Sequence, residues 1–208
     1  MTIMLSADDP NAFVVAAEML NRGQIVAIPT DTGYGLAASL ADEAILRLYL
    51  AKERPPDKST PILIADLEDI ETVAQPLLPP VERLVEQFWP GPLTLLLLKA
   101  DGLPQRVSAT ANVAVRLPDH DVARQLIRAV GGALAVSRAS IDGKEIPTTA
   151  QAVLDLFGGH IAAVLNSKTE HPTDVVSTVA IFDGRNLQVI REGAISEADL
   201  KAAIENVR

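Results

Sequence analysis

Apolar residues recur along the chain in two alternating patterns. Behind Asp8-Asp9-Pro10, the residues Phe13, Val14, Ala17, Met19 and Leu20 repeat at helical spacing, which predicts a first helix ended by Gly23. A short run over 24–28 follows and reads as a strand. The helical signature, a cap residue or a proline ahead of an apolar stripe, returns after Asp42, Asp66, Pro79-Pro80, Asp119, Thr148-Thr149 and Ser196. Between these stand short apolar runs at 61–65, 93–99, 113–117, 134–137, 162–165, 176–182 and 187–191, which read as strands. No helical pattern separates 93–99 from 113–117, so that pair is expected to be antiparallel, whereas other runs are linked through helices. The pattern thus predicts an α/β layer structure on a mixed sheet. Ser196 with Asp199 forms a variant capping box for the last helix. The proline patches at Pro55-Pro56 and Pro76 to Pro80 are too short for an interdomain linker, and no repeat period exists. Residues 1–208 are therefore expected to form one domain.

Composition narrows the class. With 48% hydrophobic and 22% charged residues the chain is expected to be an ordinary globule. Aromatics are only 3%, so the core must come from Ala, Val, Leu and Ile, and stacking platforms for single-stranded nucleic acid are scarce. The absence of Cys removes disulfides, thiolate catalysis and sulfur-based zinc sites, and fits a reducing cytosol. The run around Leu93 to Leu98 is far below the roughly 20 residues needed to span a bilayer, and the first residues lack a basic, apolar leader, so a cytoplasmic location without membrane partners is expected. A formal charge of −9 repels phosphates globally, so any nucleotide site must be a local cluster of cations.

Candidate clusters lie where strands and helices end. Pro29-Thr30-Asp31-Thr32-Gly33-Tyr34-Gly35-Leu36 follows a strand and brings together hydroxyls, a carboxylate and a permissive backbone; it reads either as a site or as an Asx or Ser/Thr turn. Lys52-Glu53-Arg54-Pro55-Pro56-Asp57-Lys58 closes a helix with three cations that can hold a triphosphate or simply offset the helix dipole. Phe88-Trp89-Pro90-Gly91-Pro92-Leu93-Thr94 reads as a structural corner around the one Trp. Arg116 and Arg191 end two strands and can converge on an anion, and Ser137-Arg138-Ala139-Ser140 follows a third strand with hydroxyls and a cation. The phosphate-loop, dinucleotide and nucleophile-elbow glycine motifs are missing. His120, His160 and His171 lack metal-ligand spacing, so no metal site of the chain's own is expected. A divalent ion would arrive as magnesium on substrate phosphates.

In combination these segments resemble the YrdC/YciO family. The 29–36 motif, Lys52-Glu53-Arg54-Pro55, Phe88 to Thr94, Val113-Ala114-Val115-Arg116-Leu117-Pro118, Pro147-Thr148-Thr149-Ala150, Ser177-Thr178-Val179 and Ile190-Arg191-Glu192-Gly193 stand in the family's order over nearly the whole chain. The resemblance implies a twisted open α/β sheet with a concave basic cavity, in the single-domain bacterial form. It also implies the activity of a threonylcarbamoyl-AMP synthase, a nucleotidyltransferase that converts threonine, bicarbonate and ATP to an adenylate and pyrophosphate. Partner proteins would then transfer the threonylcarbamoyl group to tRNA. A paralogue acting on another carbamoyl or nucleotide substrate, and a non-catalytic module binding double-stranded RNA, are the alternatives.

On that resemblance Lys52 and Arg54 are expected to be catalytic phosphate clamps, with Thr110, Arg138, Ser140 and Arg191 also on ATP, and Thr32, Arg116 and Ser177 on threonine. Ser108 falls beside Thr110 in the same region. The chain departs from the family's Ser-Ala-Asn at Arg138-Ala139-Ser140, which adds a cation and removes an amide donor. It also replaces a glycine-rich approach to Ser177 with Asn166 to Asp174.

Overall fold

The computed structural model describes residues 1–53, 59–141, 145–168 and 175–205. Among them ten strands form one open, twisted sheet: β1 (Ile3–Ser6), β2 (Val26–Thr30), β3 (Gly33–Ala38), β4 (Ile62–Ile64), β5 (Leu93–Leu98), β6 (Asn112–Arg116), β7 (Ala133–Arg138), β8 (Ala163–Asn166), β9 (Thr178–Phe182) and β10 (Leu187–Arg191). Their spatial order is β1-β8-β2-β3-β7-β4-β6-β5-β9-β10. The β1/β8, β8/β2, β4/β6 and β5/β9 pairs are parallel and the rest antiparallel, so the sheet is mixed as the sequence predicts. The expected antiparallel partnership of β5 and β6 runs from Leu95↔Val115 to Leu98↔Asn112.

The helices are α1 (Pro10–Asn21), α2 (Asp42–Ala51), α3 (Pro79–Phe88), α4 (Asp121–Ala129), α5 (Ala150–Phe157) and α6 (Glu197–Glu205). Their starts follow the sequence signals. The Asp9 carboxylate accepts from the Asn11 amide at 2.9 Å with Pro10 at the first position, and Thr149 caps α5 by accepting from the Ala152 amide at 3.2 Å. Ser196 and Asp199 bond reciprocally at the head of α6. The stripe after Asp66 forms a 3-10 turn, Leu67–Thr72, rather than an α-helix, and none of its residues is buried.

Strand alternation sends the core to both faces. Val26, Ile28, Ala37, Ala163 and Leu165 meet α1 and α4 on one side, whereas Ala27, Leu36, Ala38 and Val164 meet α2 and α5 on the other. Being covered twice, β2 and β3 are buried at every position. Each such Leu or Ile side chain removed from water contributes roughly 1.5–3 kcal/mol. In the other half of the sheet Ile62, Leu93, Leu95, Leu97, Val113, Val115 and Ala180 pack toward α3, which in turn packs on α6. Their alternates, among them Thr94, Ala114, Arg116 and Val179, point the opposite way. That face carries the cavity described next.

Candidate functional site

The uncovered face of β5, β6 and β9, together with the ends of β2, β3, β7 and β10, encloses a cavity of about 610 Å³. Leu63, Ala114, Val136 and Val179 contribute apolar side chains, and Lys52, Arg116, Arg138 and Arg191 contribute cations. Two carboxylates accompany those four cations among the described residues: Glu53, which lines the cavity, and Asp31, which pairs with Arg116. Among the described residues of an acidic chain, four cations thus line one cavity.

Arg116 is the most deeply set of these cations, at 5% exposure. Its Nη2 donates to Asp31 Oδ1, its Nη1 to Thr32 Oγ1 at 2.8 Å, and its Nε to the Gly91 carbonyl at 3.0 Å. Burial pushes its pKa down; the Asp31 carboxylate raises it again and Arg191 lowers it further. The guanidinium therefore stays charged while fixing three segments that are remote in sequence. Asp31 and Thr32 form the two-residue turn between β2 and β3, with Gly33 at φ +108° taking the left-handed position that closes the hairpin. Gly91 belongs to the Trp89 corner, where a Cβ would stand 2.5 Å from the Phe88 carbonyl oxygen. Only glycine brings this carbonyl under Arg116, and Trp89 Nε1 secures the corner by donating to the Leu93 carbonyl at 2.7 Å.

A second network lies across the cavity. Thr94 Oγ1 donates to Ser177 Oγ at 2.8 Å, and Arg191 Nη2 donates to the same hydroxyl at 3.0 Å and to the Ser177 carbonyl at 2.8 Å. Arg191 reaches this place because β10 has a bulge between Val189 and Arg191, which turns its last side chain to the open face.

Lys52 caps the C-terminal end of α2 and is 8% exposed. Its ammonium donates to the Arg138 carbonyl and, at 2.9 Å, to the Ser140 carbonyl. It is therefore not just a solvated charge at a helix end. It joins α2 to the chain leaving β7. Glu53, at φ +51°, occupies the left-handed position that a glycine often fills after a helix and turns the chain away. The Arg138 guanidinium, which burial and the neighbouring Arg191 and Arg116 push to lower pKa, donates from Nη2 to the Thr32 carbonyl at 2.9 Å and the Val175 carbonyl at 2.5 Å.

The cavity thus gathers seven of the residues singled out in the sequence: Lys52, Arg138, Ser140, Arg191, Thr32, Arg116 and Ser177. Thr110 is not among its lining residues; it is exposed, and its hydroxyl donates to the Asn112 carbonyl and bonds Ser108. Arg54, His171 and the 142–144 and 169–174 segments lie outside the described residues. His120 accepts from the Ala123 amide at the head of α4, His160 is exposed, and the described residues include no group of three potential metal ligands. Sequence reasoning did not assign Thr94 to the site. The available signal was its position as the one polar residue in the apolar run of β5.

A family model, Sua5_yciO_yrdC, described as "Telomere recombination", matches residues 18–193. A threonylcarbamoyl-AMP synthase of Pyrococcus abyssi is 36% identical over 196 residues, covering 93% of this chain and 57% of the relative. That of Bacillus subtilis is 36% identical over 209 residues, covering 98% of this chain and 59% of the relative. The chain thus spans less than two thirds of the length of these two relatives. The crystal structure of P. abyssi Sua5 complexed with L-threonine superposes with a TM-score of 0.90 at 33% identity, covering all of this chain and 62% of the other.

Proposed function

The chain belongs to the Sua5/YciO/YrdC family, and from that premise we propose that it is a threonylcarbamoyl-AMP synthase, a nucleotidyltransferase acting on threonine, bicarbonate and ATP. The observation that carries the reading is the convergence of Lys52, Arg116, Arg138 and Arg191 with the hydroxyls of Thr32, Thr94 and Ser177 in one cavity of an acidic chain. Cations suit a triphosphate, and small hydroxyl-bearing side chains suit a small polar amino acid. The structure of a close relative with L-threonine supports the second half of the assignment.

The reaction divides into two steps. The neutral amine of threonine adds to bicarbonate-derived carbon with loss of water, giving a carbamate. One carbamate oxygen then attacks the α-phosphorus of ATP, the bond to the bridging oxygen breaks, and pyrophosphate leaves. Because the attacking oxygen is already anionic, this second step needs alignment and charge neutralisation rather than a base. Lys52 and Arg191, which line the cavity with Ser140, would meet the phosphates, and Arg54 is assigned to the same clamp from the sequence. Thr110 would have to move to join them. Thr32 and Ser177 would hold the amino acid, with Arg116 fixing Thr32 by its hydrogen bond. Asp31 is committed to Arg116, so magnesium would enter on the nucleotide's phosphates. The product is a mixed anhydride, and downstream transfer proteins in the cytoplasm would consume it in tRNA threonylcarbamoyladenosine formation, with residues 1–208 acting as one catalytic domain.

The test is incubation of the full chain with ATP, bicarbonate and each amino acid in turn while pyrophosphate release is followed. Threonine-dependent release is expected. Release that depends on a different amino acid, or no release at all, would overturn the assignment.

A further inference from the structure

The cavity is built from two hydrogen-bonded networks that share no side chain. In one, Arg116 holds Thr32 Oγ1, and Thr30 Oγ1 lies within 3.4 Å of the same hydroxyl. In the other, Arg191 and Thr94 hold Ser177 Oγ. The first belongs to the β2–β3 hairpin in one half of the sheet and the second to the β9–β10 end of the other. One guanidinium nitrogen spans the gap: Arg138 Nη2 donates to the Thr32 carbonyl at 2.9 Å and to the Val175 carbonyl at 2.5 Å, two residues ahead of Ser177.

We propose that Arg138 is a positioning residue for the amino-acid substrate, setting the separation of the Thr32 and Ser177 hydroxyls and thereby the preference for threonine over serine. The proposal rests on the function proposed above. Its backbone is suited to the task. Residue 138 pairs with Gly35 in the sheet, and its carbonyl accepts from Lys52, so the side chain extends from a fixed point. Both N–H groups of Nη2 point at main-chain oxygens. Lys52 and Arg191 also donate to carbonyls, but the two that Arg138 holds belong to Thr32 and to the segment leading into Ser177, so its bonds act at the amino-acid end. A shift of a few tenths of an ångström between two hydroxyls is enough to matter. Distinguishing threonine from serine means distinguishing a single methyl group, which depends on the fit of the pocket around it.

The experiment compares the full chain with Arg138→Met, which keeps the length of the side chain and loses both bonds, and with Arg138→Lys, which keeps a cation able to reach a carbonyl. Calorimetry gives the affinities for L-threonine, L-serine and a non-hydrolysable ATP analogue separately. Arg138→Met is expected to weaken threonine by about tenfold, less than two charge-assisted hydrogen bonds would give directly, because Arg138 acts through Thr32 and Ser177 rather than on the ligand. The threonine-to-serine ratio should fall, and analogue affinity should change by less than about threefold. Arg138→Lys should recover only part of the threonine affinity and leave a few-fold loss, because an ammonium does not reproduce the planar guanidinium that reaches both carbonyls. Weakened analogue binding with threonine unaffected would instead make Arg138 a phosphate ligand, and equal losses for both would make it a structural residue; either result overturns the proposal. Should Arg138→Met fail to fold, Arg138→Lys decides alone: a few-fold loss for threonine with the analogue unchanged supports the proposal, and no change overturns it. A native chain that binds the analogue but neither amino acid would sink the assigned function and this inference together. Native binding of threonine with no response to either substitution would sink the inference alone.

Discussion

Among the described residues two clusters of arginine, one outside the cavity and one in it, solve opposite problems. Outside the cavity, Arg124 and Arg128 of α4 converge on Asp66, the residue that caps the 3-10 turn. Arg128 donates to both carboxylate oxygens at 2.5 and 2.6 Å, and Arg124 adds a contact at 3.0 Å. Asp66 is driven down from 3.8 to about 2, chiefly by its hydrogen bond from Arg128, and the Arg128 pKa is pushed up by the same bond. In the cavity the shifts of Arg116 and Arg138 run the other way, with burial first and the neighbouring guanidinium groups adding to it. The carboxylate charge that Asp66 supplies outside is supplied only in part by Asp31 inside. The first cluster is complete in the free protein. Under the proposed function an anionic ligand would complete the second, because positive charge crowded into a concave site points to binding more directly than the count of arginines does.

The largest expected effect separates these roles at Arg191, which lowers the pKa values of Arg116 and Arg138 and pairs with no carboxylate among the described residues. Arg191→Met should weaken nucleotide binding by roughly 1.5–3 kcal/mol, the range for a charge-assisted hydrogen bond. The melting temperature of the free protein should change little, because removing a like charge offsets the lost bonds to Ser177. Calorimetric titration with an ATP analogue and a thermal scan of the same sample check both halves. A fall in melting temperature with nucleotide affinity intact would erase the contrast between the clusters.

Asp66→Ala is the reciprocal change. It removes the acceptor of two guanidinium groups that are partly open to water, so a stability loss of about 1–2 kcal/mol is expected after allowing for solvent screening. Threonine-dependent pyrophosphate release should be unchanged at a temperature where the variant is folded. The sign of the pH dependence follows from the depressed carboxyl. Its contribution is fully present above the unfolded-state value of 3.8 and is lost as pH falls through the folded value of about 2. Chemical denaturation of the two proteins at pH 7 and near pH 2 should therefore show a gap that narrows on acidification. A gap that persists at the acid end would mean that Asp66 acts by shape rather than charge.

The contrast also explains what the sequence could reveal. Helix starts were legible because caps act within three residues, as at Asp9 and Thr149. The β5–β6 pair was legible because nothing helical separates its strands. β1 was not: it is a four-residue edge strand with three exposed positions and no alternation to read. β3 was hidden by Gly33 and Gly35, which read as loop. In the sheet Gly35 permits close approach to β7, where a Cβ would stand 2.5 Å from Val136 Cγ1. The cations of the cavity could be listed from their places at strand and helix ends. Their partners could not, because Asp31 and Arg116 lie 85 positions apart and Lys52 and Arg138 lie 86 apart. Lys52 shows the consequence: the sequence offered a phosphate clamp or a helix-dipole charge, and the fold adds a tie between α2 and β7.

The smallest expected effect sharpens the outer cluster itself. Arg128 is about half exposed, and Asp66 keeps Arg124 when Arg128 is lost. Arg124 in addition donates to the Ala65 carbonyl at 2.8 Å, so it stays in place without help. Arg128→Ala should therefore cost only about 0.5 kcal/mol, within the usual range for exposed ion pairs. Adding Arg124→Ala should cost more than the sum of the two single changes, because only the double variant leaves Asp66 without a cation. Denaturant midpoints for the two single variants and the double variant give the coupling directly. Strict additivity would show that the two arginines act independently and that each is held in place by the fold rather than by the other.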